Sequence, residues 1–364
     1  MNCESKKYRR IVVKIGSNVL TREDGRPDTT RISALVDQLA RLHRAGTEFI
    51  LVSSGAVASG RSLLETRVGR IDTVSARQLF SAVGQVKLLN RYYDLFNEYG
   101  IACGQVLTTK ESLSTRRQYL NQRNCMEAML AAGVVPIVNE NDTISVTELM
   151  FTDNDELSGL VAAMMGAEAL VILSNIDGIY DGSRSDPASQ VIRRVAPGRD
   201  LSQYIDTARS SRGRGGMTTK SRISSRAAGE GIEVVIANGC RDNILTDLIL
   251  TDRDVVCTRF EAAPRPASGV KKWIASSEGF AKGALHLDAG AAAAVSQSKA
   301  ASILAVGVTA VEGDFERDDI VRILSPEGAP LGVGRISCDS ATARRNLGRK
   351  GLKPLIHCDY LYLE

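Results

Sequence analysis

The sequence predicts an α/β protein whose open, mostly parallel sheet is sandwiched by helices, followed by a small, mostly β domain. Short runs rich in valine and isoleucine alternate with amphipathic stretches from residue 10 to residue 237. The runs are apolar almost throughout, which is typical of parallel strands buried on both faces. The pattern changes near residue 258, beyond which glycine, proline and aspartate interrupt shorter strand candidates.

The predicted elements of the first domain follow one another in regular alternation. The expected strands are 10–14, 48–53, 101–107, 134–138, 168–173 and 232–237, and helical patterns lie near 30–45, 74–98, 117–132, 156–165 and 218–230. This order indicates a doubly wound α/β domain. Ligands of such sheets bind at the carboxyl ends of the strands, so we expect the functional residues directly after them.

Domain boundaries follow from the change of pattern. We expect a catalytic domain over 1–258, a linker over 259–269 that contains two prolines, and a mostly β domain over 270–364. In the last domain the expected strands are 303–311, 320–324, 331–336 and 355–357. The alanine run 291–294 predicts a helix there.

Composition argues against several classes of protein. Hydrophobic residues make up 43% and charged residues 24%, which is typical of a globular chain and not of a disordered one. A run of about 18 apolar residues is absent from the sequence, so we expect no membrane partner and a cytoplasmic protein. Seven dispersed cysteines and three distant histidines predict reduced thiols and no bound metal centre.

Polar motifs follow three of the expected strands. Lys14 ends the first strand, where a buried ammonium is costly unless it meets an anion, and a turn containing Gly16 follows it. Ser54 lies in a small-residue turn after the second strand, where free amides suit an anion, although a helix cap explains this motif better when it is taken alone. Asp142 belongs to the polar run 139–142 after the fourth strand, which a turn explains nearly as well.

Two further motifs open helices. Asp153 and Glu156 match a capping box, which leaves Asn154 and Asp155 for other roles, and a buried aspartate could hold two lysines in place. The run 214–220 combines two glycines, two threonines and a lysine, which suits polyphosphate binding although it is not a Walker A motif.

These motifs, taken in order, resemble the amino-acid kinase superfamily and, within it, the glutamate 5-kinase family. The matching segments are VVKIGSNVL (12–20), VSSGAVASGR (52–61), AVGQ (82–85), VNENDTI (138–144), TDNDELS (152–158), SNIDGIYDGSRSDP (174–187) and GRGGMTTK (213–220). The β-rich tail with KKWI (271–274) resembles a PUA-type domain. The resemblance therefore implies the amino-acid kinase fold followed by a PUA-type domain.

The resemblance also implies an activity and a set of partners. Family members transfer the γ-phosphoryl group of ATP, with Mg²⁺, to the side-chain carboxylate of L-glutamate in the first step of proline biosynthesis. It further implies feedback inhibition by proline, with residues 61–80 over the glutamate site, and a homodimer or homotetramer. A glutamyl-phosphate reductase would consume the product, because the chain shows no reductase domain of its own.

Site roles are carried over by matching positions. Lys14, Lys220 and Asp155 would be catalytic, and Asp155 would organise the two lysines. Ser54, Asp142 and Asn154 would bind glutamate. The expected ATP-binding residues are Lys14, Gly16, Ser174, Asn175, Arg214, Gly215, Gly216, Met217, Thr218, Thr219 and Lys220. Two positions depart from the family: Asn175 replaces an aspartate, for which Asp177 or Asp181 could compensate, and Arg214 replaces a small residue.

Two alternatives remain open at this stage. A kinase of the same superfamily could act on aspartate, acetylglutamate, carbamate or UMP with the same phosphate motifs. The tail could instead bind RNA through Arg344, Arg345, Arg349, Lys350 and Lys353, although its charge is nearly balanced, so nucleic acid is not the expected partner.

Overall fold

The computed structural model describes residues 7–64, 71–113, 116–145, 153–183, 186, 188–204, 216–264, 274, 281–297 and 301–363. The chain divides into two compact units, one formed by 1–110 and 120–266 and the other by 111–119 and 267–364. In the described part of the chain, none of the helices combines the length and the apolar character needed to cross a membrane.

The first unit is built on an eight-stranded sheet. Its strands are β1 (Arg10–Ile15), β2 (Glu48–Ser53), β3 (Cys103–Thr108), β4 (Val135–Glu140), β5 (Ala169–Ser174), β6 (Arg194–Val195), β7 (Glu233–Asn238) and β8 (Cys257–Phe260). They are arranged in the order β3-β4-β2-β1-β5-β7-β8-β6, and every neighbouring pair is parallel except β7 with β8. The carboxyl ends of β1 to β5 and β7 therefore share one edge of the sheet.

Helices follow these strands in sequence. They are α1 (Ser17–Leu20), α2 (Thr29–Arg44), α3 (Ala56–Leu64), α4 (Thr73–Asn97), α5 (Arg116–Ala131), α6 (Asn154–Met165), α7 (Met217–Gly229) and α8 (Ile244–Ile249). The described residues of β1, β2 and β5 are almost fully buried, since helices cover both faces of a doubly wound sheet. The predicted fold class is therefore confirmed.

Helices α3 and α4 approach each other unusually closely, because a glycine on each helix faces the backbone of the other. A Cβ atom at Gly60 would overlap the carbonyl oxygen of Phe80, and one at Gly84 would overlap that of Ala56. This packing fixes α4 beside the turn that follows β2.

The second unit contains a five-stranded sheet in the order β10-β9-β11-β12-β13. Its elements are β9 (Gly283–Leu287), α9 (Ala289–Gln297), β10 (Val308–Gly313), β11 (Ile320–Leu324), β12 (Pro330–Arg335), α10 (Ser340–Arg345) and β13 (Leu361–Leu363). The helix over the alanine run and three of the expected strands are confirmed. The expected strand 355–357 is wrong, because it forms only the isolated bridge Ile303–Ile356.

Sequence patterns missed the short strands β6, β8, β9 and β13. The first and last of these have two and three residues, which is too short to show a period. In the β9 sequence Gly283 and His286 interrupt the apolar pattern, and only pairing with β10 and β11 makes the segment a strand.

Candidate active site

Two lysines and an aspartate meet where β1, α6 and α7 converge. Lys14 Nζ lies 2.5 Å from Asp155 Oδ1, and Lys220 Nζ lies 2.8 Å from Asp155 Oδ2. The Asp155 side chain is completely buried, whereas those of Lys14 and Lys220 keep 6% and 11% of their surface exposed. One carboxylate thus orients two ammonium groups at the edge of the sheet.

The charge of this triad follows from its burial. Burial by itself raises the pKa of Asp155, but the ammonium groups of Lys14 and Lys220 outweigh this effect and bring the pKa down to about 2. The triad consequently holds one negative and two positive charges at neutral pH. The triad by itself, without its neighbour Asp153, carries one net positive charge, and its two ammonium groups suit an anionic ligand.

Asp153 begins the helix that delivers Asp155. Its Oδ1 accepts hydrogen bonds from the backbone N–H groups of Asp155 and Glu156 at 2.9 and 3.1 Å, so the predicted cap is confirmed. The Glu156 side chain pairs with Lys110 at 3.3 Å. Burial and the neighbouring Asp155 carboxylate raise the pKa of Asp153 to about 6.

Gly16 follows the first lysine, but its amide is already engaged. The Gly16 N–H donates to the Leu173 carbonyl oxygen at 3.0 Å. A Cβ at this position would lie 3.2 Å from that oxygen and 3.5 Å from Lys14 Nζ. The glycine therefore leaves the space beside the ammonium open for a ligand.

A group of amide and hydroxyl side chains lies beside the triad, centred on Asn154. Asn154 Nδ2 donates to Ser54 Oγ and to Asn139 Oδ1, both at 3.0 Å. Asn139 is buried at the end of β4. The structure thus brings together Ser54 and Asn154, as expected, and adds Asn139 from the same polar run as Asp142.

Asp142 contacts α4. Its Oδ1 pairs with the guanidinium of Arg77, and its Oδ2 accepts a hydrogen bond from Ser81 Oγ at 3.2 Å. The same Arg77 nitrogen lies 3.3 Å from Glu140 Oε2. Sequence reasoning missed Arg77 and Ser81, although polar residues at 77, 81 and 85 recur every four positions and therefore share one helix face.

The residues expected at the nucleotide follow β5 and begin α7. Ser174 is buried, with 8% of its surface exposed, and Asn175 is exposed. Gly216 precedes α7, whose first turn contains Met217, Thr218, Thr219 and Lys220. The Lys220 N–H donates to the Gly216 carbonyl oxygen at 3.2 Å, and the three N–H groups before it belong to the helix start, which has no intrahelical acceptors for them. Arg214 and Gly215 lie outside the described residues.

Both aspartates near Asn175 already use one carboxylate oxygen in hydrogen bonds within the described part of the chain. Asp177 Oδ1 accepts from Arg241 Nε at 2.7 Å and from Asn238 Nδ2 at 3.1 Å. Asp181 Oδ1 accepts from the Gln190 N–H at 2.7 Å. Both carboxylates thus organise their own loops.

Comparisons with known proteins agree with this arrangement. Residues 9–238 match the model of the amino acid kinase family, and residues 283–355 match that of the PUA domain. The chain is 63% identical to a glutamate 5-kinase of Bacteroides thetaiotaomicron over 98% of its own length and 99% of the relative's length. It is 46% identical to a glutamate 5-kinase of Chlorobaculum tepidum over 98% of both chains.

Solved structures show the same fold at low sequence identity. A carbamate kinase from Giardia lamblia bound to AMP-PNP matches with a TM-score of 0.51 at 14% identity, covering 71% of this chain and all of that one. An isopentenyl phosphate kinase substrate complex matches with a TM-score of 0.51 at 16% identity, covering 70% of this chain and all of that one.

Proposed function

Because the chain belongs to the amino acid kinase family, we propose that it transfers the γ-phosphoryl group of ATP to the side-chain carboxylate of L-glutamate. The proposal is supported by the two glutamate 5-kinases that align with nearly the whole chain. The observation that carries the chemistry is the pair of lysines held by one buried aspartate. We propose that the product, L-glutamyl 5-phosphate, enters proline biosynthesis.

The reaction needs charge stabilisation more than it needs a base. A carboxylate acceptor is ionised at neutral pH, since its reference pKa is about 4.3, so no proton has to be removed from it. Its oxygen forms a bond to the γ-phosphorus while the bond from that phosphorus to the bridging oxygen of ADP breaks. Positioning the two anions in line and neutralising the charge between them is then the principal task.

The site residues divide this task. Lys14 would contact the transferred phosphoryl group, and the small Gly16 leaves room for it. Lys220, at the start of α7, would stabilise the charge that develops on the leaving oxygen of ADP. Asp155 would touch neither substrate and would keep both ammonium groups in place. Ser54, Asn154 and Asp142 would bind glutamate, and Asn139 joins them through its contact with Asn154.

ATP would lie along the start of α7 and beside Ser174. The expected nucleotide contacts are Ser174, Asn175 and residues 214–220, of which 216–220 are described. Two of the carboxylates near this side already pair with cations, Asp155 with two lysines and Asp177 with Arg241. We therefore propose that Mg²⁺ binds to the phosphate oxygens of ATP and arrives with the substrate.

The remaining parts of the proposal concern regulation and assembly. We propose that proline inhibits the enzyme at the glutamate side, that the chain forms a homodimer or homotetramer, and that a cytoplasmic glutamyl-phosphate reductase consumes the product. The contact of Arg77 with Asp142 supports the expectation that part of the segment 61–80 lies over the glutamate side. The catalytic domain would cover residues 1–258 and the end of β8 at Phe260.

One experiment tests substrate and reaction type together. The purified protein is given ATP and Mg²⁺ with glutamate, aspartate, acetylglutamate or UMP, and ADP release is measured with hydroxylamine present to trap an acyl phosphate. Glutamate-dependent ADP release with hydroxamate formation is the expected result. Turnover with another acceptor alone would retain the phosphate site and overturn the glutamate assignment.

A further inference from the structure

Among the described residues, Arg77 is the cation that pairs with Asp142. Its guanidinium contacts Asp142 and, at 3.3 Å, Glu140 Oε2. The Arg77 side chain is 19% exposed, and those of Glu140 and Asp142 are 5% and 8% exposed. A nearly buried cation therefore bridges two nearly buried carboxylates directly after β4.

The charge balance of this group depends on the arginine. Burial raises the pKa of Asp142, while the Arg77 guanidinium and the Ser81 hydroxyl oppose the rise. In the described part of the chain, Arg77 on α4 is the charged group paired with Asp142, and the same guanidinium nitrogen contacts Glu140 at the end of β4. Without the guanidinium, two close carboxylates in a buried site would favour protonation of one of them.

Asp142 needs its charge if it binds the acceptor. The amino acid expected here carries an ammonium group, and an ionised carboxylate attracts that group far more strongly than a neutral carboxyl does. If Asp142 were mostly protonated, the apparent affinity for the acceptor would equal the affinity of the ionised form multiplied by the ionised fraction.

We propose that Arg77 is a positioning residue that determines acceptor affinity, because it holds Asp142 ionised and oriented toward the ammonium group of the acceptor. This inference rests on the proposed function, which places the acceptor at Asp142. It assigns to α4, a helix far from the phosphate motifs in sequence, control over how well the acceptor binds.

Neighbouring contacts fix α4 independently of the arginine. Gln78 Nε2 donates to the Thr143 carbonyl oxygen at 3.0 Å, and Ser81 Oγ donates to Asp142 at 3.2 Å. The close packing of α3 and α4 at Gly60 and Gly84 adds to this. Removal of the guanidinium therefore should change the charge at Asp142 while the helix stays in place.

The test compares Arg77→Met with Arg77→Lys in the full chain. KM for glutamate, KM for ATP and kcat are measured between pH 6.5 and 9. For Arg77→Met we expect KM for glutamate to rise about tenfold for each pH unit by which the pKa of Asp142 exceeds the assay pH, and to fall as pH rises. KM for ATP should stay unchanged and kcat should change less than about threefold, because the phosphate site is intact.

Arg77→Lys retains a positive charge and should restore most of the affinity, without the pH dependence. Arg91→Met is the matched control, since it removes an arginine from the same helix away from both carboxylates. If Arg77→Met does not fold, Arg77→Gln, which keeps hydrogen-bond donors and lacks the charge, is measured with the same expectation.

The outcomes separate the two proposals. A KM for glutamate that stays unchanged, or that rises equally at all pH values, would overturn the role of Arg77 while leaving the glutamate kinase activity established. An equal effect of Arg91→Met would overturn it as well. If the unsubstituted protein does not phosphorylate glutamate, the proposed function fails, and the role of Arg77 fails with it.

Discussion

Lys14 Nζ lies 2.5 Å from Oδ1 of Asp155, although one residue lies near the end of β1 and the other in the first turn of α6. The second oxygen of the same carboxylate holds Lys220. Burying any of these charges without its counter-charge would cost stability, because each charge has lost its hydration. The site is therefore organised by Asp155, which holds both ammonium groups where an anionic ligand can contact them.

Substitution of either lysine should abolish most of the catalysis. For Lys14→Ala and for Lys220→Ala we expect kcat to fall by about a hundredfold or more, because each removes one contact with the developing charge. Lys87→Ala, which removes an exposed lysine from α4, is the control and should keep its activity. ADP release measures all three, and near-normal turnover by either active-site variant would refute the site assignment.

Asp155→Asn should destabilise the fold as well as reduce activity. It leaves two nearly buried ammonium groups without their counter-charge, which costs about 3–5 kcal/mol of the free energy of unfolding. Asp155→Asn combined with Lys220→Met should recover part of that loss. Urea unfolding at pH 7 measures the stability of both variants. If Asp155→Asn alone were as stable as the parent, the charge argument would be contradicted.

The pH dependence of stability follows from the same carboxylate. The pKa of Asp155 is lowered from 3.8 to about 2 in the folded state. A lowered folded pKa means that its stabilising contribution is complete above about pH 4 and is lost as pH falls toward 2. Acid unfolding of the parent should therefore steepen in that window, and Asp155→Asn should lack this component.

For Asp153 we expect a pH dependence of stability with the opposite sign. Its pKa is raised from 3.8 to about 6 in the folded state. The free energy of unfolding therefore falls as pH rises from about 4 to about 6, and the full cost remains at higher pH. Asp153→Asn keeps a capping oxygen and removes that cost, so we expect it to be more stable than the parent by about 2 kcal/mol at pH 7.5. The gain in stability should be much smaller at pH 4.5. Urea unfolding of the variant and the parent at both pH values measures the difference. An equal gain at the two pH values would exclude this explanation.

Gly16→Ala tests whether the open space beside Lys14 matters. The added methyl group would lie 3.2 Å from the Leu173 oxygen and 3.5 Å from Lys14 Nζ, so it narrows the approach to the ammonium. We expect kcat to fall by about tenfold and the melting temperature to change little, because Gly16 does not require a positive φ. Undiminished kcat would show that no ligand passes this position.

Local sequence determined the six longer strands of the first unit and their buried character, because apolar runs of four to eight residues leave few other structures available. It also placed Lys14, Ser54 and Asp142 after strands, and the parallel sheet then brings these ends to one edge. The cap formed by Asp153 was readable because its partners are the next residues along the chain. These features depend on short-range geometry alone.

Only the tertiary structure decided which side chains meet. Arg77 gave no sequence motif, and its role appeared when close packing at Gly60 and Gly84 set α4 beside the polar run after β4. Gly16 proved to donate its amide to Leu173, a partner supplied by another strand. Long-range contacts of this kind depend on how strands are ordered and helices packed, and no local period encodes them. The sequence therefore determined the fold class and most charged groups of the site, whereas tertiary packing added Arg77 and decided how each charge is balanced.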